Sequence, residues 1–445
     1  MSLLLRLRHS KYARAAALAL VALLSSTALS GYSVLTHEEI VDLAWKSEIL
    51  PLLQQRFPNL TEDQIKEAHA YAYGGSVIQD LGYYPFGSRE FSDLVHYVRS
   101  GDFVLELLRQ SQDADEYAFS LGALSHYVAD INGHPAVNEA VALRYPKLRA
   151  RYGSSVRYAQ DTKAHLKTEF GFDTLQVAKN RYASDQYHDF IGFEVALPLL
   201  ERTFPIVYGL QLKDVLTHED LAVGSYRFSI SRLIPKMTQV ALQAHKKDLM
   251  SETPNFAKRK FLYRLSRSDY EHSWGKTYNR PGFGTRVLST LLRYFPKIGP
   301  FKGMAFDNPT PQTEDLYIKS INLTVDRYQA LLDEVRAGKV VLPNCDLDDG
   351  KPTRASEYSL ADESYAKLLD KLAAGNFVAT SPQLRANILA FYSDLSLPIE
   401  TKSDPARWQA VLAELSALKT TAPFVAADAN GHGTELRWSS IGPGL

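Results

Sequence analysis

From Thr36 to about residue 200 the apolar residues recur at helical spacing, and start and stop signals separate one segment from the next. Thr36 with Glu39 reads as a capping box ahead of Ile40, Leu43 and Ala44, and Thr61 with Gln64 opens the following helix. Further helices are predicted at about residues 90 to 110, 114 to 132, 136 to 150, 158 to 170 and 190 to 203. Turn-rich breaks fall at Gly82 to Gly87 and at Gly171-Phe172-Asp173. No stretch alternates in the manner of a strand, so the pattern predicts an all-α, multi-helix domain.

The remainder is also mostly helical but more interrupted, with proline and glycine gathered at Pro281 to Gly284, Pro296 to Gly303 and Pro343 to Pro352. From Thr421 onward the chain is rich in Gly, Ala, Ser and Thr and reads as a tail. The expected organisation is a leader over 1–30, a helical domain over 31–205, a helical C-terminal extension of unassigned role over 206–420, and a flexible tail over 421–445.

The leader is read from order as well as polarity. Arg6, Arg8, Lys11 and Arg14 precede the apolar run Ala15 to Leu24, and small and polar residues follow. That is the arrangement of a secretory signal peptide, and the run is short for a membrane span. Ala28 and Ser30 suit cleavage before Gly31, which predicts an exported protein, periplasmic or secreted. The leader also explains the charge balance of 50 basic against 50 acidic residues. Without its four basic residues, 46 basic face 50 acidic, a formal −4 for the mature chain.

Cysteine narrows the chemistry further. The lone Cys345 excludes an internal disulfide and zinc sites built from Cys-x-x-Cys pairs, so any metal must rest on His, Asp and Glu. His126, Asp130 and His134 stand four apart on one predicted helix and project from one face on successive turns. Gly133 and Pro135 suggest that this helix ends near His134, where the backbone could re-aim that side chain. His165 and Glu169 repeat the four-residue spacing on another helix. Neutral imidazoles and carboxylates are the donors that zinc takes at about 2.0–2.2 Å.

The segment from Ser125 through His126, Asp130 and His134 to Pro135 resembles the core motif of the zinc-dependent phospholipase C and S1/P1 nuclease family. By the same resemblance His37, Asp80, His96, His165 and Glu169 take up the family's other positions in order, over about residues 31 to 200. The resemblance implies up to three Zn²⁺ ions. One would take Asp80, His96, His126 and Asp130, and a second His134, His165 and Glu169. A third would take His37, Asp130 as a bridge, and the amino group and carbonyl of Gly31, the first mature residue. Family members usually begin with Trp, so Gly31 as a ligand depends on cleavage at that bond. Asp130 and Asp80 are the expected catalytic residues, with Asp80 either a ligand or the acceptor of a proton from the attacking water. Ions sharing Asp130 would activate water as hydroxide to attack phosphorus.

The resemblance implies a phosphoric-ester hydrolase, with a phospholipid or other phosphate ester as substrate. Phospholipase C-like cleavage is favoured over nucleic acid, because the mature chain has no long basic stripe to hold a polyanion. A single-strand nuclease or nucleotidase of the same family, using Tyr83, Tyr84, Tyr97 and Tyr127 to stack bases, and a zinc-stabilised non-catalytic binding protein remain the alternatives. Arg286 to Phe306 is basic and apolar and reads either as a peripheral membrane contact or as an internal helix. Asp346, Asp348, Gly350 and Glu357 suggest a calcium loop, but Lys351 stands where that loop needs glycine. Val215 to Asp220 nearly repeats Val34 to Glu39, so its His218 marks a helix start outside the metal pattern. His188-Asp189 reads as a structural pair, and His69 as a packing or surface residue. The sequence leaves the oligomeric state open.

Overall fold

The computed structural model describes residues 33–178, 192–234, 308–399 and 406–422. Among these residues the chain is helical, with fifteen α-helices and one two-stranded bridge. The leader, Gly31, His188-Asp189, the Arg286 to Phe306 stretch and nearly all of the expected tail lie outside them. No described helix is long and apolar enough to cross a membrane.

Helix α1 (Val34–Ala44) passes through a π-helical turn, Trp45–Ile49, into α2 (Leu50–Arg56). Thr61 caps α3 (Glu62–Gly75) with the reciprocal bonds to Gln64 that the sequence predicts. A 3₁₀ turn, Ile78–Tyr83, leads to α4 (Arg89–Tyr97) and α5 (Ser100–Gln110). These two helices divide the single one expected over that stretch, because Arg99 adopts a left-handed conformation with φ 52°.

Asp113 caps α6 (Ala114–Arg144), its side chain accepting a hydrogen bond from the Glu116 N–H at 2.9 Å. Short α7 (Pro146–Tyr152) and α8 (Thr162–Ala178) follow. Then come α9 (Leu197–Tyr208), α10 (Leu212–Val215) and α11 (Glu219–Phe228). The C-terminal part contributes α12 (Pro311–Arg336), the bridge β1 (Cys345–Asp346) with β2 (Lys351–Pro352), α13 (Ser359–Ala374), α14 (Pro382–Phe391) and α15 (Arg407–Thr420).

Helix α6 is the axis of the molecule. Helices α1, α3, α5, α8 and α12 all pack on it, so residues on every side of its middle turns are buried. This surrounding explains the main departure from expectation: α6 continues through Gly133 and Pro135 to Arg144 instead of ending near His134. Pro135 removes one helical donor, but burial of the flanking turns on both sides keeps the helix continuous. His134 is consequently held on a rigid helix.

The α3–α6 crossing is close enough to require glycine. A Cβ on Gly122 would lie 2.0 Å from the Ala72 carbonyl oxygen, and one on Gly75 would lie 1.9 Å from that of Phe119.

Two local expectations are corrected by the same helix, α8. Its Asp173 carboxylate accepts hydrogen bonds from the Leu35 N–H at 3.0 Å and the Thr36 hydroxyl at 2.6 Å. The start of α1 is therefore capped from across the fold, with Ser33 as its N-cap, and Thr36 lies inside the helix. Gly171-Phe172-Asp173, read as a break, lies within α8, where Phe172 stacks on Tyr317 of α12 at 4.3 Å. Among the described residues one large apolar core takes in side chains from Val34 to Leu418, so the C-terminal helices share the packing of the first part.

Candidate metal centre

Four residues of α6, His126, Asp130, His134 and Asn138, stand four apart and point the same way, and all are buried. Around this line the other elements deliver their donors: His37 from the first turn of α1, Asp80 from the 3₁₀ turn, His96 from the end of α4, and His165 and Glu169 from α8. The 3₁₀ turn is held against α6 by Gln79, whose side-chain amide donates to the Ala123 carbonyl at 3.0 Å.

The donor atoms gather into three groups: His37, His126 and Asp130; Asp80, His96 and His126; and His134, His165 and Glu169. Asp130 sits between them. Its Oδ1 lies 3.6 Å from His37 Nε2, while its Oδ2 lies 3.0 Å from His126 Nε2, 3.3 Å from His96 Nε2 and 3.5 Å from His134 Nε2. Eight of the nine residues singled out from the sequence therefore meet in one buried cluster, and Gly31 lies outside the described residues.

The imidazoles are oriented from behind. His96 Nδ1 donates to the Ser92 carbonyl at 2.7 Å, and His126 Nδ1 to the Ser76 carbonyl at 2.9 Å, which turns both Nε2 atoms inward. On His165 the arrangement is reversed. Nε2 donates to Asn138 Oδ1 at 2.8 Å and Nδ1 faces Glu169 Oε1 at 2.5 Å.

The inward atoms fit a cation. His96, His126 and His134 Nε2, His165 Nδ1, Asp80 Oδ1 and both oxygens of Asp130 and of Glu169 make no hydrogen bond although they are buried. Orphaned lone pairs at this density would be costly in a metal-free interior, and they are the donor set that zinc takes.

The electrostatics point the same way. Burial pushes the Asp80 carboxyl up to about 7 and raises that of Glu169 well above the usual range, neighbouring carboxylates adding to the latter. Burial lowers His165 to about 3, helped by His134. For Asp130 burial opposes ionisation, but His126 and His134 outweigh it and hold the carboxyl well below the usual range. For His96 burial opposes protonation, but Asp130 and Asp80 outweigh it and raise the imidazole to about 9. Groups displaced in both directions over so short a span are the electrostatic mark of a site built for bound charge.

Two other histidines among the described residues stand apart. His69 is buried, stacked on Trp45 at 3.7 Å and 3.0 Å from Asp42. His218 is exposed at the start of α11, the helix-start role read for it. His188 lies outside the described residues.

Two neighbours escaped the sequence reading. Asn138 extends the four-residue spacing of His126, Asp130 and His134 by one more step, a signal that was available. Asp348 comes from the turn between β1 and β2. Its Oδ1 lies 3.6 Å from His134 Nε2, and only the fold brings that turn to α6.

Residues 36–217 match the family model described as zinc dependent phospholipase C, and that part of the chain is similar to this family. Comparison with curated proteins and with solved structures found no match. The all-α fold and the buried His and carboxylate groups are those expected of a member of this hydrolase family.

Proposed function

We propose that the chain is an exported, zinc-dependent phosphoric-ester hydrolase that cleaves phospholipid head groups in the manner of a phospholipase C. The observation that carries this reading is the convergence of three His and carboxylate groups within the family-matched residues. Zinc bound there would supply Lewis acidity, lowering the pKa of water and offsetting charge that builds on phosphoryl oxygens.

The side chains divide the remaining tasks. His134, His165 and Glu169 would hold one ion, Asp80, His96, His126 and Asp130 a second, and His37 with Asp130 a third. Asp130 is suited to bridging because its two oxygens face different histidines. In place of ligation, Asp80 would accept the proton from the attacking water. Ser92, Ser76 and Asn138 keep the imidazoles in the required tautomer. Cleavage before Gly31 would leave a free amino group a few residues ahead of His37, available as a further donor to the third ion.

We read residues 31–205 as the catalytic part and 206–420 as an extension whose described helices pack upon it. Phospholipid is favoured over nucleic acid because Tyr83, Tyr84, Tyr97 and Tyr127 are all buried in packing and offer bases no platform. The test is hydrolysis of phosphatidylcholine, p-nitrophenyl phosphocholine and single-stranded DNA by the zinc-loaded mature chain. Release of phosphocholine from the first is expected. Cleavage of DNA alone would move the reading to a nuclease, and cleavage of none would leave a zinc-stabilised binding protein.

A further inference from the structure

The turn between β1 and β2 lies outside the family-matched residues, yet it is fastened to the metal centre along its length. The Ser100 hydroxyl donates to the Cys345 carbonyl at 2.6 Å, and the Leu347 N–H donates to the carbonyl of His96 at 3.2 Å. Arg157 pairs with Asp346 and lies over the Tyr358 ring at 3.5 Å. Asn138, which orients His165, uses its amide N–H to bond the Asp348 carbonyl at 2.9 Å. Gly350 closes the turn at φ 69°, where a Cβ would meet the Ile131 carbonyl oxygen at 2.8 Å. That oxygen is the one whose helical donor Pro135 lacks, so the interruption in α6 and the glycine of the turn face each other.

This fastening sets the Asp348 carboxylate. Its Oδ2 accepts a hydrogen bond from the Tyr97 hydroxyl at 3.2 Å. Its Oδ1 is fully buried, makes no hydrogen bond and faces His134 Nε2 at 3.6 Å. That separation is too long for a hydrogen bond. It suits two donors of a single ion, since zinc bonds of about 2.0–2.1 Å in tetrahedral geometry place donor atoms roughly 3.3–3.4 Å apart. Separations of 3.5 Å between His96 and Asp80 and 3.6 Å between His37 and Asp130 recur elsewhere in the cluster. Two neutral imidazoles, Glu169 and Asp348 would also balance the double charge of the ion.

We propose that Asp348 is the fourth donor of the His134, His165 and Glu169 group, so that a bound ion ties the C-terminal extension to the family domain. The proposal rests on the reading of those three residues as a zinc group. It gives the extension a role: the extension completes the coordination of that ion instead of merely covering the site.

The test compares the full-length mature chain with its Asp348→Asn and His165→Ala variants, each stripped with chelator and reloaded with zinc. The readouts are ions retained per chain against a graded competing chelator, and the rise in Tm on reloading. Asp348→Asn should release one ion at least tenfold more readily than wild type and lose part of the zinc-induced rise, with helical circular dichroism unchanged. Retention equal to wild type, with His165→Ala releasing an ion, overturns the Asp348 assignment and leaves the zinc group standing. If His165→Ala also retains every ion, the zinc group itself is wrong. Should Asp348→Asn fail to fold, a zinc-edge anomalous map of wild-type crystals decides. An ion within about 2.2 Å of the Asp348 carboxylate supports the assignment, and one beyond bonding distance refutes it.

Discussion

Asn138 Oδ1 accepts the Nε2 proton of His165 at 2.8 Å, and this one bond decides which imidazole nitrogen faces Glu169. Such outer partners tune affinity without touching the ion. Asn138→Ala is expected to weaken zinc at the His134, His165 and Glu169 group by about 10- to 100-fold. Chelator competition on the purified variant measures this, and unchanged retention would mean that the bond to Asn138 is packing alone.

Asp130 faces four histidines with two oxygens. Asp130→Ala is therefore expected to abolish activity and to release more than one ion per chain. Elemental analysis beside an activity assay checks it. Loss of a single ion with activity retained would contradict the bridging role.

Zinc uptake is expected to be linked to protons. In the metal-free protein His96 is raised to about 9 and Asp80 to about 7, so near neutral pH each holds a proton, His96 almost fully and Asp80 in part. Donors bind as bases, so those protons must leave. Apparent affinity should therefore rise with pH from about 6 to 9 and fall as the solution is acidified. Titration calorimetry in buffers of different ionisation enthalpy reports the protons released. No dependence on buffer would show that the donors are already deprotonated.

Asp173 supplies the acceptors for the buried first turn of α1, bonding Leu35 and Thr36. Asp173→Ala leaves the buried Leu35 N–H unmatched, removes one partner of the Thr36 hydroxyl, which also meets the Tyr317 hydroxyl, and is expected to cost about 1–3 kcal/mol. Denaturant unfolding of the metal-free chain measures it, and a change under about 0.5 kcal/mol would argue that α1 is held by its apolar face alone.

The helical class and the ligand line were legible because both depend on spacing within one element. His126, Asp130 and His134 share a face of α6 by periodicity alone, and His165 with Glu169 does so on α8. The length of α6 was not legible. Gly133 and Pro135 are stop signals locally, and it is the burial of α6 among five helices that carries the helix past them. The capping of α1 was misread for a related reason: its acceptor, Asp173, is distant in sequence. Asp348 belongs to the same class. The run Asp346 to Gly350 resembles a calcium loop that lacks its glycine, whereas its place beside His134 depends on β1, β2 and the bonds from Asn138 and Arg157. Asn138, by contrast, obeys the spacing rule and could have been chosen.

Zinc-dependent turnover of a phospholipid is the most direct measurement. Phosphocholine release from phosphatidylcholine is followed for the purified mature chain, after chelation, and during stepwise return of zinc. The prediction is loss of activity on chelation and recovery that levels off as the three groups fill. Hydrolysis indifferent to zinc, or a chain that binds its full complement and turns over neither phospholipid nor any other phosphate ester, would contradict it.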